Sequence, residues 1–144
     1  MPARKKPVLD TTTARGKHVQ RRLRSEVIIW LATVGADGRP HAVPVWYWWD
    51  GDTFLIYSVP GQKVRDIEAN PDVAMHLNAT DGGDDVVRID GLAKRLPRQP
   101  LAYRVPSYMR KYSKLVRGYG WTNEWFSKTY HVAFRVRPTR FRIA

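Results

Sequence analysis

A mainly β protein, a barrel or a sandwich with a few helical additions, is the architecture to expect from this chain. Three observations lead there. Asp37-Gly38 and Asp50-Gly51 each separate runs rich in β-branched and aromatic residues. That is a hairpin signal, because glycine supplies the positive φ a tight turn needs. Residues 86–96 alternate apolar Val87, Ile89, Gly91 and Ala93 with polar Arg88, Asp90 and Lys94, the pattern of a half-buried strand. Six or so short strands of this kind are recognisable, against few helical stretches.

Taken in order, residues 1–13 read as a flexible tail rich in Lys, Pro and Thr. Residues 14–24 suit a short basic helix with Val19 and Leu23 on one face, weakened by Gly16. Residues 1–24 thus form a basic leading segment, and 25–144 a single domain with no internal repeat. Strands are expected at 28–34, 41–49 and 53–58. Pro44 cannot donate to a ladder, so its strand lies at an edge or bulge. Trp48 and Trp49 read as barrel packing. A helix over 61–69 turns Val64 and Ile67 inward and stops at Asn70-Pro71. A strand at 73–78 and a loop at 81–85 precede the strand at 86–96.

Pro97 and Pro100 open a helical region that Pro106 divides in two. In the second piece Tyr108, Met109, Tyr112, Leu115 and Val116 share one face, with Arg110, Lys111, Lys114 and Arg117 turned outward. Gly118 is placed to end it as a C′ glycine. The last element runs from Tyr130 to Val136, breaks at Pro138 and resumes from Phe141 to Ile143.

The 144 residues, 43% of them hydrophobic, can bury a real core. No apolar run is long enough to span a bilayer, and the basic N-terminus lacks the apolar stretch of a secretory signal. Without cysteine there is no disulfide, thiolate metal site or Cys nucleophile. A soluble cytoplasmic protein is the expectation.

The net charge of +12 is unevenly placed. Beyond Asp90 the only acidic side chain is Glu124, and before residue 25 the only one is Asp10. Such asymmetry fits an anionic partner: nucleic acid, a membrane surface, or a phosphorylated or polyacidic small molecule. A solvated surface that aids solubility is the alternative.

The residues that carry chemistry cluster at Ser58-Val59-Pro60-Gly61-Gln62-Lys63-Val64-Arg65. A helix N-terminus offers free amides and partial positive charge. Gly61 lets an anion approach the backbone, and Lys63 adds a full charge. Ser58 suits either a phosphate contact or a helix cap, and Arg65 either the same anion or solvent. The aromatics Tyr119, Trp121, Trp125, Phe126 and Tyr130 suit a pocket wall or a subunit contact. Other chemistries lack their motifs. His18, His41, His76 and His131 have no zinc spacing, and there is no nucleophile elbow, dinucleotide fingerprint or Walker A sequence. Cofactor chemistry is what remains for an enzyme.

The order of Asp37-Gly38-Arg39-Pro40, Pro44-Val45-Trp46 and Gly61-Gln62-Lys63-Val64-Arg65 resembles the pyridoxamine 5'-phosphate oxidase-like split-barrel family, in its coenzyme F420-dependent branch. The resemblance implies a split β-barrel with a few short helices, dimeric, with the cofactor site at the subunit interface. It implies that Lys63, with the turn amides, takes the cofactor phosphate. It also implies that Pro44, Val45 and Trp46 lie along the ring system, with Tyr57 and Ser58 beside the phosphate turn. Flavin-dependent oxidase members carry an Arg and a Lys near this strand, and this chain does not. The implied activity is hydride transfer between F420 and a small organic acceptor. FMN chemistry on the same fold, or non-catalytic binding of F420 or haem, are the alternatives. A nucleic-acid-binding module is the weakest reading, because no motif for it is present.

Overall fold

The computed structural model describes residues 7–143. Seven antiparallel strands form one curled sheet in the order β2-β1-β5-β6-β7-β4-β3. They are β1 (Ile28–Val34), β2 (Pro40–Trp46), β3 (Trp48–Trp49), β4 (Phe54–Ser58), β5 (Asp72–His76), β6 (Val87–Arg95) and β7 (Val132–Ile143). Four helices accompany them: α1 (Ala14–Ser25), α2 (Gln62–Ala69), α3 (Pro106–Gly118) and α4 (Asn123–Thr129). β2 and β3 are the sheet's two edges although only Tyr47 separates them in the chain. The sheet therefore curls until its ends nearly meet. Both hairpin glycines, Gly38 and Gly51, take positive φ.

The concave side holds one core, in which Ile29, Leu31, Tyr47, Phe54, Ile56, Met75, Ile89, Phe134 and Val136 meet Val19 and Leu23 of α1 and Ile67 of α2. A second core lies outside β4, where Leu55 and Tyr57 pack with Tyr108, Met109, Tyr112 and Val116 of α3 and Phe126 of α4. β4 is buried on both faces. Its unbroken run Phe54-Leu55-Ile56-Tyr57 has that cause: one face looks into the barrel, the other onto helices.

Several elements differ from the sequence reading. The strand expected over 41–49 is two strands interrupted at Tyr47, because β2 pairs with β1 while β3 pairs with β4. Pro138 does not break β7. It faces Gly91 at a bulge in the β6–β7 ladder, where the loss of one donor is tolerated. Pro106 occupies the first turn of α3 and opens it, and the piece before it is a single 3-10 turn over Ala102–Arg104. Gly118 is still helical. The left-handed residue is Gly120, whose N–H reaches Arg117 O at 2.9 Å while Trp121 N–H reaches Val116 O at 3.1 Å. That pair of bonds is a Schellman closure. Tyr130 caps α4 and is not a strand residue.

Residues 1–6 of the expected tail lie outside the described residues, but 7–13 hold a defined course. Leu9 is buried in the first core. A Cβ on Gly16 would stand 1.7 Å from the Asp10 carbonyl oxygen, so the glycine is what lets this segment lie against α1. Gly16→Ala is expected to destabilise the fold by about 1–3 kcal/mol, the usual range for overpacking. Thermal or urea unfolding measures it, and an unchanged midpoint would contradict the close approach.

Candidate functional site

α2 starts from a bare turn. Its N-cap is Gly61, which offers no side-chain cap, and a Cβ there would meet nothing within 4 Å. The helix end is therefore open to an approaching group. From its first turn the Lys63 ammonium reaches back to β4 and donates to Ser58 Oγ at 2.8 Å. Ser58 Oγ in turn donates to Val59 O at 2.7 Å. Ser58 does not cap the helix, because its hydroxyl is spent in this relay. Burial pulls the Lys63 pKa below the ordinary lysine value, and no carboxylate among the described residues pairs with it. The result is a half-buried cation without a counter-charge.

This cation lies on a cavity of about 230 Å³. One wall is Pro44, Val45 and Trp46 at the end of the edge strand β2, and the floor is Tyr57 and Ser58 of β4. The rest of the lining is Tyr119 and Trp121, from the turn after α3, Phe126 of α4 and Tyr130 that caps it. Trp46 lies 5.3 Å from Phe126, ring centre to ring centre, and Phe126 stacks on Tyr130 at 4.8 Å. Trp125 stays outside, 47% exposed and packed on Trp121. No carboxylate or imidazole lines the cavity.

Of the residues singled out from sequence, Pro44, Val45, Trp46, Tyr57, Ser58 and Lys63 come together here. Gly61, Gln62, Val64 and Arg65 do not line the cavity. Gly61 forms the turn beside it, and Val64 is buried beneath α2. Gln62 donates to Asp66 Oδ1 at 2.7 Å, and exposed Arg65 donates to Gln62 Oε1 at 3.2 Å. Tyr119, Trp121, Phe126 and Tyr130 line the same cavity as the cation.

Sequence reasoning missed the group that anchors α2. Asp66 is fully buried and accepts from Thr33 Oγ1 of β1 at 2.8 Å, His41 Nδ1 of β2 at 2.9 Å, and Gln62. Burial alone would raise its pKa, but the bonds from Gln62, Thr33 and His41 outweigh that and hold it below the usual carboxylate value. The available signal was an acid on the inward face of the helix, between Val64 and Ile67.

Lys111 is the other departure, since it does not turn outward. Its ammonium sits 3.7 Å over the Tyr47 ring and donates to Tyr47 O at 3.1 Å. Burial brings its pKa down to about 8, with Glu26 acting in the opposite direction. The unfolded chain keeps an ordinary lysine near 10.4, so above about pH 8 it binds more protons at this residue than the folded protein does. Stability should therefore rise with pH from about 8 to 9.5, before unfolded-state tyrosines ionise. Tyr47 and Tyr112, raised by burial, act against it beyond that point. Lys111→Met is expected to flatten this rise, leaving only the parallel contribution of Lys63. Urea midpoints at half-unit pH steps test it, and an identical slope in the variant would contradict it.

A curled antiparallel sheet with a ligand-sized pocket beside a strand–turn–helix is a split barrel. The chain belongs to the pyridoxamine 5'-phosphate oxidase family, whose model matches residues 16–143. Among solved structures it is similar to an F420 reductase at 28% identity and TM-score 0.64, covering 85% of this chain and 94% of that one. An FAD-binding protein from Mesorhizobium loti is similar at 24% identity and TM-score 0.62, covering 87% and 88%. A heme storage protein from Vibrio cholerae shares the fold at 17% identity and TM-score 0.63, covering 88% and 92%. No curated protein matches the chain.

Proposed function

We propose that this protein is an F420-dependent oxidoreductase that passes a hydride between the deazaflavin and a small organic acceptor. The observation that carries the proposal is the unpaired Lys63 ammonium at an uncapped helix start, opening onto an aromatic pocket. An anion and a flat ring on one molecule suit that pair of features, and a nicotinamide-type dinucleotide fold is not needed to hold them. When bound, the deazaflavin supplies the hydride chemistry.

The chain's own residues bind, orient and exclude water. Lys63 and the first amides of α2 would hold the phosphate. Pro44, Val45 and Trp46 form a strand end that fixes the ring from one side. Tyr57 is unable to drift, because its hydroxyl donates to Pro100 O at 2.6 Å. Tyr119, Trp121, Phe126 and Tyr130 complete the lining and would keep solvent from the ring. A lining without carboxylate or imidazole fits a reaction in which the cofactor carries the electrons.

F420 is favoured over FMN by Pro44-Val45-Trp46 standing where flavin oxidases of the family carry basic residues, and by the F420 reductase among the similar structures. A groove lined by Lys111, Lys114, Leu115, Gly118 and Tyr119 shares Tyr119 with the pocket. Lys114 there offers a cation to an oligoglutamate tail, while the Lys111 ammonium is held by Tyr47. FMN is the second reading, supported by the FAD-binding similar structure. Haem is less well served, because none of the four histidines lines the pocket. We take the protein to be cytoplasmic and a homodimer. Small exposed side chains, Pro40, Ala42 and Ala74, on the outer face of β2 and β5 suit a subunit contact. No helix among the described residues is long and apolar enough to cross a membrane.

Fluorescence titration with F420 and FMN in parallel tests the reading. Tighter binding of F420 is expected. FMN preference would replace the cofactor and keep the site, whereas binding of neither would overturn the proposal.

A further inference from the structure

Tyr47 occupies the gap between the two edges of the sheet. The β1–β2 ladder ends at Ile28 opposite Trp46, and the β3–β4 ladder begins at Trp48 opposite Leu55. Its backbone N–H and C=O consequently face no strand, while the residue itself is wholly buried. Buried backbone groups need partners, and α3 supplies them. Tyr112 Oη accepts the Tyr47 N–H at 2.9 Å and donates to Val27 O at 2.7 Å, with Tyr47 O also 2.9 Å away. Lys111 Nζ adds a bond to Tyr47 O at 3.1 Å. The Tyr112 ring meanwhile lies flat on Trp46, with centroids 4.6 Å apart and planes within 5°.

One side chain therefore does two things next to the pocket. Its hydroxyl locks the chain just after Pro44-Val45-Trp46, and its ring backs the Trp46 wall. Tyr112 does not itself line the cavity.

We propose that Tyr112 is a positioning residue for the ligand pocket, acting through the Tyr47 backbone and the Trp46 ring. The assignment rests on the function proposed above, because it concerns the same pocket. Without the hydroxyl, the edge strand loses its fixed end and the Trp46 wall can shift, so a rigid planar ligand meets a less ordered site.

Tyr112→Phe keeps the stacked ring and removes only the hydroxyl. We expect a folded variant in which exchange of the Tyr47 amide with solvent is about tenfold faster, and F420 affinity about five- to tenfold weaker. Two reference variants separate this from general loosening. Lys63→Ala should weaken binding but leave Tyr47 exchange unchanged. Val116→Ala, on the same helix but outside this set of hydrogen bonds, should lower stability with little change in affinity. If Tyr112→Phe does not fold, Lys111→Met is read instead, with the same two effects expected at about twofold.

Unchanged Tyr47 exchange in a folded Tyr112→Phe would show that the lock does not exist. Faster exchange with unchanged affinity would overturn the positioning role. Equal losses of affinity in Tyr112→Phe and Val116→Ala would overturn it as well. If the wild-type protein binds neither F420 nor FMN, the function proposal fails and the positioning role with it. The amide exchange still reports on the lock in that case, so the two failures are told apart.

Discussion

Replacing Lys63 with alanine is expected to weaken F420 binding by about 10- to 100-fold, the loss of one charge-assisted contact to a phosphate. The free protein should not suffer. Among the described residues Lys63 makes one side-chain hydrogen bond, to Ser58 Oγ, and that hydroxyl keeps its own bond to Val59 O. Burial already disfavours the ammonium, as its lowered pKa records. An arriving phosphate supplies the missing counter-charge, so the affinity of the wild type should fall with added salt and that of the variant much less. Calorimetric titration at two salt concentrations measures both effects. A folded variant with wild-type affinity would remove Lys63 from the site.

Asp66→Ala carries the largest expected loss of stability, about 3–5 kcal/mol, the range seen when one member of a buried charged network is deleted. Three groups would lose their acceptor together: the Thr33 hydroxyl, the His41 ring and the Gln62 amide. They belong to β1, β2 and α2, so the anchor of α2 to the sheet goes with them. Asp66→Asn should lose less, since an amide oxygen still accepts. The pH dependence has a definite direction. The folded-state pKa lies below the unfolded value, so the stabilisation is complete above the ordinary carboxylate range near 4. It is lost as pH falls from there through the folded value. Acid unfolding of Asp66→Asn should lack this component, and a wild-type acid profile in the variant would contradict the assignment.

Most of the sheet was legible from sequence because its signals are local. Asp37-Gly38 and Asp50-Gly51 mark hairpins, and alternation marks β6. The features that escaped depend on which strand lies alongside. Nothing within residues 41–49 says that the pairing partner changes from β1 to β4 at Tyr47. Pro138 reads as a break until the bulge at Gly91 is seen to accept it. Gly118 and Gly120 are both glycines in the right place, and only the bonds from Gly120 and Trp121 choose between them.

The candidate site divides in the same way. Its β2, β4 and Lys63 side was legible, because the residues follow one another through two hairpins and a turn. Its aromatic side came with an open choice between pocket wall and subunit contact, and it is the packing of α3 and α4 on β4 that brings Tyr119, Trp121, Phe126 and Tyr130 to the cavity. Asp66 and Tyr112 were invisible as site-supporting residues, since each acts through partners distant in sequence, at separations such as the 65 residues between Tyr112 and Tyr47.

The central claim is that the pocket between β2, the start of α2 and the α3–α4 aromatics is where the cofactor binds. A crystal structure of the protein grown with F420 tests it most directly. The phosphate is expected within hydrogen-bond distance of Lys63, with the ring system against Trp46 and the other aromatics of the pocket. F420 held elsewhere on the basic surface, with this pocket filled by solvent, would contradict it.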